Sequence, residues 1–546
     1  MLTLALLLLA ASASHFLSVI LRVPAIPVLI LSGLSLTASG IIEDKSDIHN
    51  TLLLGLTFLV FLAGTELNPG RIGRYLPAAI KVGLFQFISL GFASFIVAKI
   101  AGLGLIQSFY IGLAIAASST LVVVRILQRR RQFFEPFGRL VLGVLLVQDG
   151  IAIFFISLLP AITASPHVLY SLPENSIPPL SILKTPYFFL TSLGALICLG
   201  IISYIFQTRI ASYFFVRLRL DEEALLLVSL AVLFVFAFLA KLLNIHFIVG
   251  AFFGGFALSS FPVRGIVNSQ LLSIADFFVA IFFVAIGATL ILPTGPMIVL
   301  AILLILLVIL LTPLIVLFIS ESARITTRSA LEAGLLLAQT SEFSLIIGLI
   351  GYQSGHLDQS LLGLIALITV TTMMLTPFIA TNSITWGLTK LIPNSNKNFI
   401  SDIPDKHIIV LGCGESILEL ILQFDETLKK RLLVVDYDPG VLSQLSKEGI
   451  LTLRGDAADP FTLNACRATE ASFIISTLGK IEDNEKILTH VNSIKVYVRV
   501  QESDEARRIE RKGGIPILSS ALSANALMTW ISGKILKPVN LQRQIK

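Results

Sequence analysis

Gly112-Leu-Ala-Ile-Ala-Ala-Ser118-Ser119-Thr120 and Gly334-Leu-Leu-Leu-Ala-Gln339-Thr340-Ser341-Glu342 are two apolar runs that end alike, in a cluster of small hydroxyl residues. A second pair keeps nearly the same offset of about 222–223 residues: Phe58-Leu-Val-Phe-Leu-Ala-Gly64-Thr-Glu-Leu-Asn-Pro69 and Phe282-Phe-Val-Ala-Ile-Gly287-Ala-Thr-Leu-Ile-Leu-Pro293. An internal repeat at this offset, with an odd number of spans per unit, sets its two copies in opposite senses across a membrane, a common transporter plan. The hydroxyl clusters then mark two interrupted helices. Interrupted helices are tolerated at membrane depth only where protein or a water-filled cavity satisfies their backbone. Freed carbonyls together with hydroxyls suit a small dehydrated cation. The plainer alternative is that Ser and Thr merely close-pack neighbouring helices. The matched pair favours a site.

Composition supports a membrane reading. Of 546 residues, 55% are hydrophobic and 14% charged, against about 25% charged in soluble domains, and mean hydropathy is +0.89. About thirteen apolar segments are expected as spans: 2–20, 24–42, 51–68, 75–99, 104–126, 138–160, 187–206, 223–240, 244–260, 270–292, 296–319, 329–350 and 360–390. One set of intervening loops holds Arg22, Arg71, Arg74, Arg129 to Arg131, Arg139, Arg209, Arg217, Arg219, Arg264, Arg324 and Arg328, and the other little more than Lys45, Lys184 and Lys241. The positive-inside rule assigns the first set to the cytoplasm. The N-terminus is then outside, and an odd count delivers residue 391 onward to the cytoplasm. The net charge of +6 is thereby read as membrane orientation, with no nucleic-acid partner. The first 20 residues lack a basic n-region, and another apolar run follows at once, so they read as a span rather than a signal peptide. Three cysteines, Cys198, Cys413 and Cys466, have no metal-ligand spacing.

Asp149 lies mid-span in Gly143-Val-Leu-Leu-Val-Gln148-Asp149-Gly150-Ile-Ala-Ile. An ionised Asp there costs at least ~2.5–3.5 kcal/mol by insertion scales. Such a carboxylate can hold a proton or a cation but hardly both, and that competition is the chemistry of exchange. Gln148 would supply an uncharged oxygen beside it. Ser119, Thr120 and Glu342 complete the candidate ion and proton site, with no catalytic or metal-holding residue. The repeat-related position carries Thr371 and Thr372, so one half of the repeat has the acid, which suggests one proton per cation. Glu66 reads as interfacial and Arg125 as snorkelling to the cytoplasm. Lys241, His246 and Asp276 receive no role.

Residues 400–546 have ordinary soluble composition. His407-Ile-Ile-Val-Leu411 reads as a buried strand, followed by Gly412-Cys-Gly414-Glu-Ser-Ile417 and an apolar helix. Leu432-Leu-Val-Val-Asp436 then ends in an acid 22 residues beyond Gly414. This is the order of a dinucleotide site: glycines let the backbone approach a pyrophosphate at a helix N-terminus, and the acid receives ribose hydroxyls. Ile417 replaces the third glycine. With no catalytic His or Lys beside a substrate pocket, the domain reads as a binding module, not as a dehydrogenase, and the chain as no enzyme.

These residues together resemble the monovalent cation:proton antiporter-2 family, which contains the Kef-type potassium efflux systems. Phe61-Leu-Ala-Gly64-Thr-Glu66-Leu is similar to its third-helix motif and Ser118-Ser119-Thr120 to its first broken helix. Pro136-Phe-Gly138-Arg139-Leu followed by Gln148-Asp149 resembles the signature whose Asp carries the ion and the proton. Phe283-Val-Ala-Ile-Gly287 and Gln339-Thr-Ser-Glu342-Phe343 are similar to the second-half motifs. There are departures: Ser341 stands where many relatives have Gly, and residues 296–319 hold no Lys where many relatives carry one, Thr312-Pro313 lying near that place. The tail resembles a TrkA-N (RCK) domain, with Arg454-Gly455-Asp456-Ala457 after its third strand, Ser476-Thr477 ending the fourth and Val496-Tyr-Val-Arg499 as the fifth.

The resemblance implies a polytopic α-helical membrane protein of about thirteen transmembrane helices, with inverted repeats and two broken helices, plus a C-terminal α/β Rossmann-like domain. Its parts would be an exchanger domain (1–392), a linker (393–404), a TrkA-N domain (405–520) and a tail (521–546). It would exchange K+ or Na+ for protons electroneutrally in the inner (plasma) membrane, as a homodimer within the lipid bilayer. NAD(H) or AMP/ATP would act as regulatory ligand at Gly412, Gly414, Asp436 and Asp456. A nucleotide-gated cation channel or efflux pathway is the alternative, but the repeated pore loops of a channel filter are not seen. No motif establishes the glutathione gating of some Kef-type relatives.

Overall fold

The computed structural model describes residues 2–21, 23–40, 46–66, 75–130, 136–162, 184–211, 222–243, 245–259, 263–319, 327–391 and 403–519. Arg22, Lys45, Arg71, Arg74, Arg131, Arg217, Arg219 and Arg324, most of the linker (393–402) and the C-terminal tail lie outside the described residues. The chain divides into two compact units. One is Met1–Ala323 with Ser329–Leu388, the other Arg324–Arg328 with Thr389–Lys546.

The first unit is helical throughout. Its helices are α1 (Leu2–Leu21), α2 (Ala25–Ala38), α3 (Ser46–Glu66), α4 (Leu76–Ile100), α5 (Leu105–Ala116), α6 (Thr120–Arg129), α7 (Pro136–Ile162) and α8 (Lys184–Ile205). They continue as α9 (Glu222–Leu242), α10 (Phe247–Ala257), α11 (Val263–Thr289), α12 (Pro296–Ile319), α13 (Thr327–Leu337), α14 (Glu342–Gln353), α15 (Gln359–Ile379) and α16 (Asn382–Leu391). The thirteen expected spans are not all of spanning length among the described residues. Among the described residues eight helical runs are long and apolar enough to cross a bilayer, or nine with α13 and α14 taken as one span bent by 42°. The segments that fall short are apolar helices of 10–17 residues, Ala25–Ala38, Thr51–Thr65, Phe247–Ala257 and Asp276–Thr289. Helices α2 and α10 are packed largely against protein, whereas α3 and α11 run on beyond those apolar stretches.

Outer and inner helices differ accordingly. On α12, Ile302, Leu306, Leu310, Leu314 and Phe318 are exposed, as Ile88, Phe92 and Ile96 are on α4, which is the surface expected against lipid. On α14 every residue from Glu342 to Gly351 is buried. The repeat appears in how the helices pair. Helix α2 packs on α11, and α10 packs on α3. A Cβ at Gly33 of α2 would stand 2.0 Å from the Val284 carbonyl oxygen, and one at Gly287 of α11 2.1 Å from that of Ile30. The other pair repeats the arrangement, with Gly255 of α10 at 2.0 Å from the Phe61 oxygen and Gly64 of α3 at 2.2 Å from the Phe252 oxygen. Gly33 and Gly64 recur as Gly255 and Gly287 at the offset read from the sequence. Each half therefore lends one helix to the other through backbone-to-backbone contact that no side chain would allow.

The second unit carries a six-stranded, all-parallel sheet of strands β1 (Ile408–Leu411), β2 (Leu432–Asp436), β3 (Leu451–Arg454), β4 (Phe473–Ser476), β5 (Val496–Val500) and β6 (Ile515–Leu518). Their order is β3-β2-β1-β4-β5-β6, the doubly wound arrangement whose strand order reverses beside β1. Strands β1 and β2 are buried along their whole length, as their unbroken apolar sequence requires. Helices α17 (Glu415–Leu422), α18 (Glu426–Lys429), α19 (Pro439–Lys447), α20 (Pro460–Ala465), α21 (Ile481–His490) and α22 (Ser503–Arg511) connect them.

Substituting Gly255→Ala inserts a methyl group where a carbonyl already stands. It is expected to cost about 1–3 kcal/mol, read as a lowered unfolding temperature of the detergent-purified protein. Gly33→Ala, its repeat-related counterpart, is expected to cost a similar amount.

Candidate functional site

The first break falls between α5 and α6, the second between α13 and α14, and the four half-helix ends exchange hydrogen bonds. The Ser118 hydroxyl donates to the Leu337 carbonyl at the end of α13, at 2.7 Å. Reciprocally, the Ser344 hydroxyl on α14 donates to the Ala114 carbonyl on α5. The last carbonyls of a helix have no partner within it, so each broken helix completes the end of the other.

Each break is also capped in the same way. Ser119 is the N-cap of α6 and accepts from the Val122 N–H, and Ser341 is the N-cap of α14 and accepts from the Phe343 N–H. The Ser118 N–H donates to Gln148 Oε1 at 3.0 Å. At the matching position the Thr340 N–H donates to the Thr372 hydroxyl at 3.2 Å, and the Thr340 hydroxyl to that of Thr369 at 3.0 Å. The residues after the two breaks, Thr120 and Glu342, begin α6 and α14. A carboxylate in the first turn of a helix is favoured by the helix dipole.

Asp149, 5% exposed on α7, accepts a 2.7 Å hydrogen bond at Oδ2 from the Thr120 hydroxyl. Asp149, Thr120 and Glu342 line one cavity of about 130 Å³, together with Thr65, Phe283, His15, Arg125 and Asp276. Of the five residues expected from the sequence, these three are therefore brought together around one space. Gln148 and Ser119 are not on its wall. Gln148 turns its oxygen to the break, and its Nε2 has no hydrogen-bond partner among the described residues. Neighbours on a helix do not share a face, so Asp149 can look into the cavity only if Gln148 looks elsewhere. Of the other lining residues, the sequence has Arg125 snorkelling to the cytoplasm, gives Asp276 no role and does not mark His15. Arg125 lies five residues after Thr120 on the same helix, and although exposed it is among the residues that line the cavity. Where many relatives carry a Lys, Pro313 instead lies against Gly334 of α13, with a Cβ there only 2.5 Å from the Pro313 Cα.

In the C-terminal unit, Gly412 follows β1 with φ +81°, a conformation that favours glycine. Gly414 is the N-cap of α17, and a Cβ there would meet no atom within 4 Å. That leaves open space in front of the helix N-terminus at the strand-order reversal, where doubly wound folds bind ligands. Ile417 packs into the apolar core beneath α17. Asp436 ends β2 and accepts from the N–H of Cys413 at Oδ2, 2.5 Å, and from that of Asp438 at Oδ1, 2.8 Å. Burial pushes its carboxyl above the usual range, and those two N–H groups work against the rise. Cys413 beside it is pushed up to about 12, by burial first and then by the Asp436 charge.

Asp456, expected among the nucleotide-binding residues, is engaged by an arginine. Both its oxygens receive Arg328 Nη1, at 2.9 and 3.2 Å, while Arg328 Nη2 lies 2.6 Å from Asp483 Oδ1. All three residues fall in the C-terminal unit. Burial pushes the Asp483 carboxyl up, and Arg328 opposes it. The sequence showed Arg328 only as one more loop arginine.

Two crossed broken helices around a cavity with buried carboxylates, followed by a parallel-sheet domain, define a secondary antiporter of monovalent cations and protons. Comparison with known proteins agrees. Residues 3–383 match the family described as sodium/hydrogen exchanger, transmembrane, and residues 408–520 match the TrkA-N domain. The chain belongs to the sodium/hydrogen exchanger family, and within it to the monovalent cation:proton antiporter-2 group with a TrkA-N domain. It is 23% identical over 484 residues to the glutathione-regulated potassium-efflux system protein KefC of Shigella flexneri serotype 5b, covering 87% of this chain and 75% of that protein. The KefC protein of Escherichia coli strain SMS-3-5 matches with the same identity and coverage. Among solved structures, the sodium proton antiporter MjNhaP1 from Methanocaldococcus jannaschii at pH 8 superposes with a TM-score of 0.52 at 17% identity. The superposition covers 71% of this chain and 97% of that one, and the likeness is one of fold.

Removing the acceptor that Gln148 offers to the first break leaves a buried N–H unpaired. Gln148→Leu is expected to lower stability by about 1–3 kcal/mol, measured as thermal unfolding in detergent.

Proposed function

We propose that this protein exchanges potassium or sodium for protons, one for one and without net charge movement, with Asp149 as the carrier of both. The observation that carries the reading is the Asp149–Thr120 pair on the wall of a cavity that also holds Glu342, where the two broken helices cross. The Thr120 hydroxyl stabilises the ionised carboxylate when the proton has left, and Glu342 offers a second oxygen site for the cation. The KefC proteins are named as potassium-efflux systems, which supports potassium as the first cation to test. The bilayer is proposed to be the inner (plasma) membrane, with the C-terminal domain in the cytoplasm and the protein a homodimer. Residues 1–392 would form the exchanger domain and 405–520 the nucleotide-binding domain, joined by the linker 393–404, with a tail at 521–546.

The C-terminal domain would bind NAD(H) or an adenine nucleotide, AMP or ATP, as a regulator, with the pyrophosphate or phosphates at Gly412 and Gly414 and the ribose near Asp436. The open space before Gly414 supports this.

Two experiments test these readings. In proteoliposomes with a pH gradient and a fluorescent pH reporter, potassium, then sodium, is added to wild type and to Asp149→Asn. Collapse of the gradient by a cation in wild type, with loss of at least about 100-fold in the variant, is the expected outcome. Normal exchange by the variant would make Asp149 structural. In the same assay added NADH or ATP is expected to change the rate of exchange by wild type, and an unchanged rate with either would count against the regulatory reading.

A further inference from the structure

The cavity beside Asp149 adjoins a second cavity of about 300 Å³, and the two share His15, Ala25, Ile26, Leu121 and Arg125 on their walls. Their charges differ. The described titratable groups on the larger cavity are His15 and Arg125, with Arg129 one helical turn further on, and it has no carboxylate. The smaller cavity has three: Asp149 from α7, Asp276 from α11 and Glu342 from α14. His15 of α1 and Arg125 of α6 complete its titratable set. Arg125, itself exposed, is thus the permanent positive charge among the described residues that line it. Among the described residues it makes no ion pair, so no carboxylate in contact cancels its field.

We infer that Arg125 sets the cation affinity of the exchange site: from the wall common to the two cavities, its charge keeps the bound cation loosely held and lets the emptied carboxylates remain ionised. This rests on the reading of Asp149 as carrier. A cation entering the smaller cavity meets up to three negative charges and one positive one. Without the positive charge, both the cation and the competing proton would be held more tightly, and release would slow. At an effective dielectric of about 40–80, which suits an exposed side chain, one unit charge about 6 Å away changes a binding constant about three- to tenfold. Because no ion pair fixes Arg125, the effect depends on charge and not on guanidinium geometry, so Lys should serve nearly as well. His15 shares both walls.

The test measures cation KM and maximal rate for wild type, Arg125→Gln and Arg125→Lys in proteoliposomes, at the alkaline end of the activity range, where protons compete least. Arg125→Gln is expected to lower KM about three- to tenfold, with a smaller change in maximal rate, and to move the half-maximal pH of exchange upward. Arg125→Lys is expected to restore both towards wild type. The inference is overturned if Arg125→Gln leaves KM and the pH midpoint unchanged, or if Lys behaves as Gln does. If Arg125→Gln does not accumulate, His15→Arg adds a positive charge to the same wall and is expected to raise KM, and an unchanged KM would overturn the inference. Asp149→Asn serves as the control in the same assay. Exchange by Asp149→Asn would sink the site itself, whereas an inactive Asp149→Asn beside an unaltered Arg125→Gln would sink this inference alone.

Discussion

The helical unit depends on one exchange of hydrogen bonds, Ser118 to the Leu337 carbonyl and Ser344 to the Ala114 carbonyl. A helix broken inside a membrane leaves donors and acceptors that no water or lipid can satisfy cheaply. One broken helix would carry that cost unaided. Two crossing at their breaks cancel it, each supplying a hydroxyl to the other's terminal carbonyls. The arrangement requires a small hydroxyl residue at or just past each break and allows little displacement of one helix past the other. It also leaves the N-terminal ends of α6 and α14, with their partial positive charge, beside the carboxylates of Asp149 and Glu342, so the element that closes the backbone also prepares the place for charge.

Close backbone contact makes the crossing rigid. Helices α2 with α11, and α10 with α3, meet through glycines at positions where any Cβ would overlap a carbonyl. In a bilayer the hydrophobic effect does little to bring helices together, and packing of small residues takes over. The same glycines recur at the same offset in both halves, so the repeat is a repeat of contacts as well as of sequence.

This explains what could be read in advance. Apolar runs, matched hydroxyl clusters and matched glycines are local signals, and they foretold a repeated helical unit with two breaks. The order of strand, glycine turn, helix and acid likewise foretold the C-terminal sheet. The thirteen apolar segments recur as eight long apolar runs, one bent pair and four shorter apolar helices among the described residues, and hydropathy does not say which of them are short. Nor could hydropathy separate Gln148 from Asp149. Adjacent residues on α7 point different ways, so the glutamine serves the break and the aspartate the cavity. Partners remote in sequence were beyond reach altogether: nothing near Arg328 announces Asp456 or Asp483, more than a hundred residues away.

The two halves are alike in how they close their breaks and unlike in charge. At the first break the buried N–H finds the oxygen of Gln148, whose neighbour is Asp149. At the second it finds the Thr372 hydroxyl, backed by Thr369. A neutral hydroxyl is enough to cap a backbone, so symmetry of structure does not demand symmetry of charge. Glu342 restores an acid on the second half, but at the first position of the helix beyond the break and not on the helix that caps it. The carboxylates thus enter the cavity from different elements, α7 and α14. Thr120, which donates to Asp149, is the counterpart of Glu342 in the repeat. In one half the residue after the break supports a carboxylate, and in the other it is one. A repeat that had kept on α15 the acid it has on α7 would bury a third carboxylate near the crossing, beside Asp149 and Glu342. The hydroxyls at Thr369 and Thr372 avoid that cost while still completing the backbone.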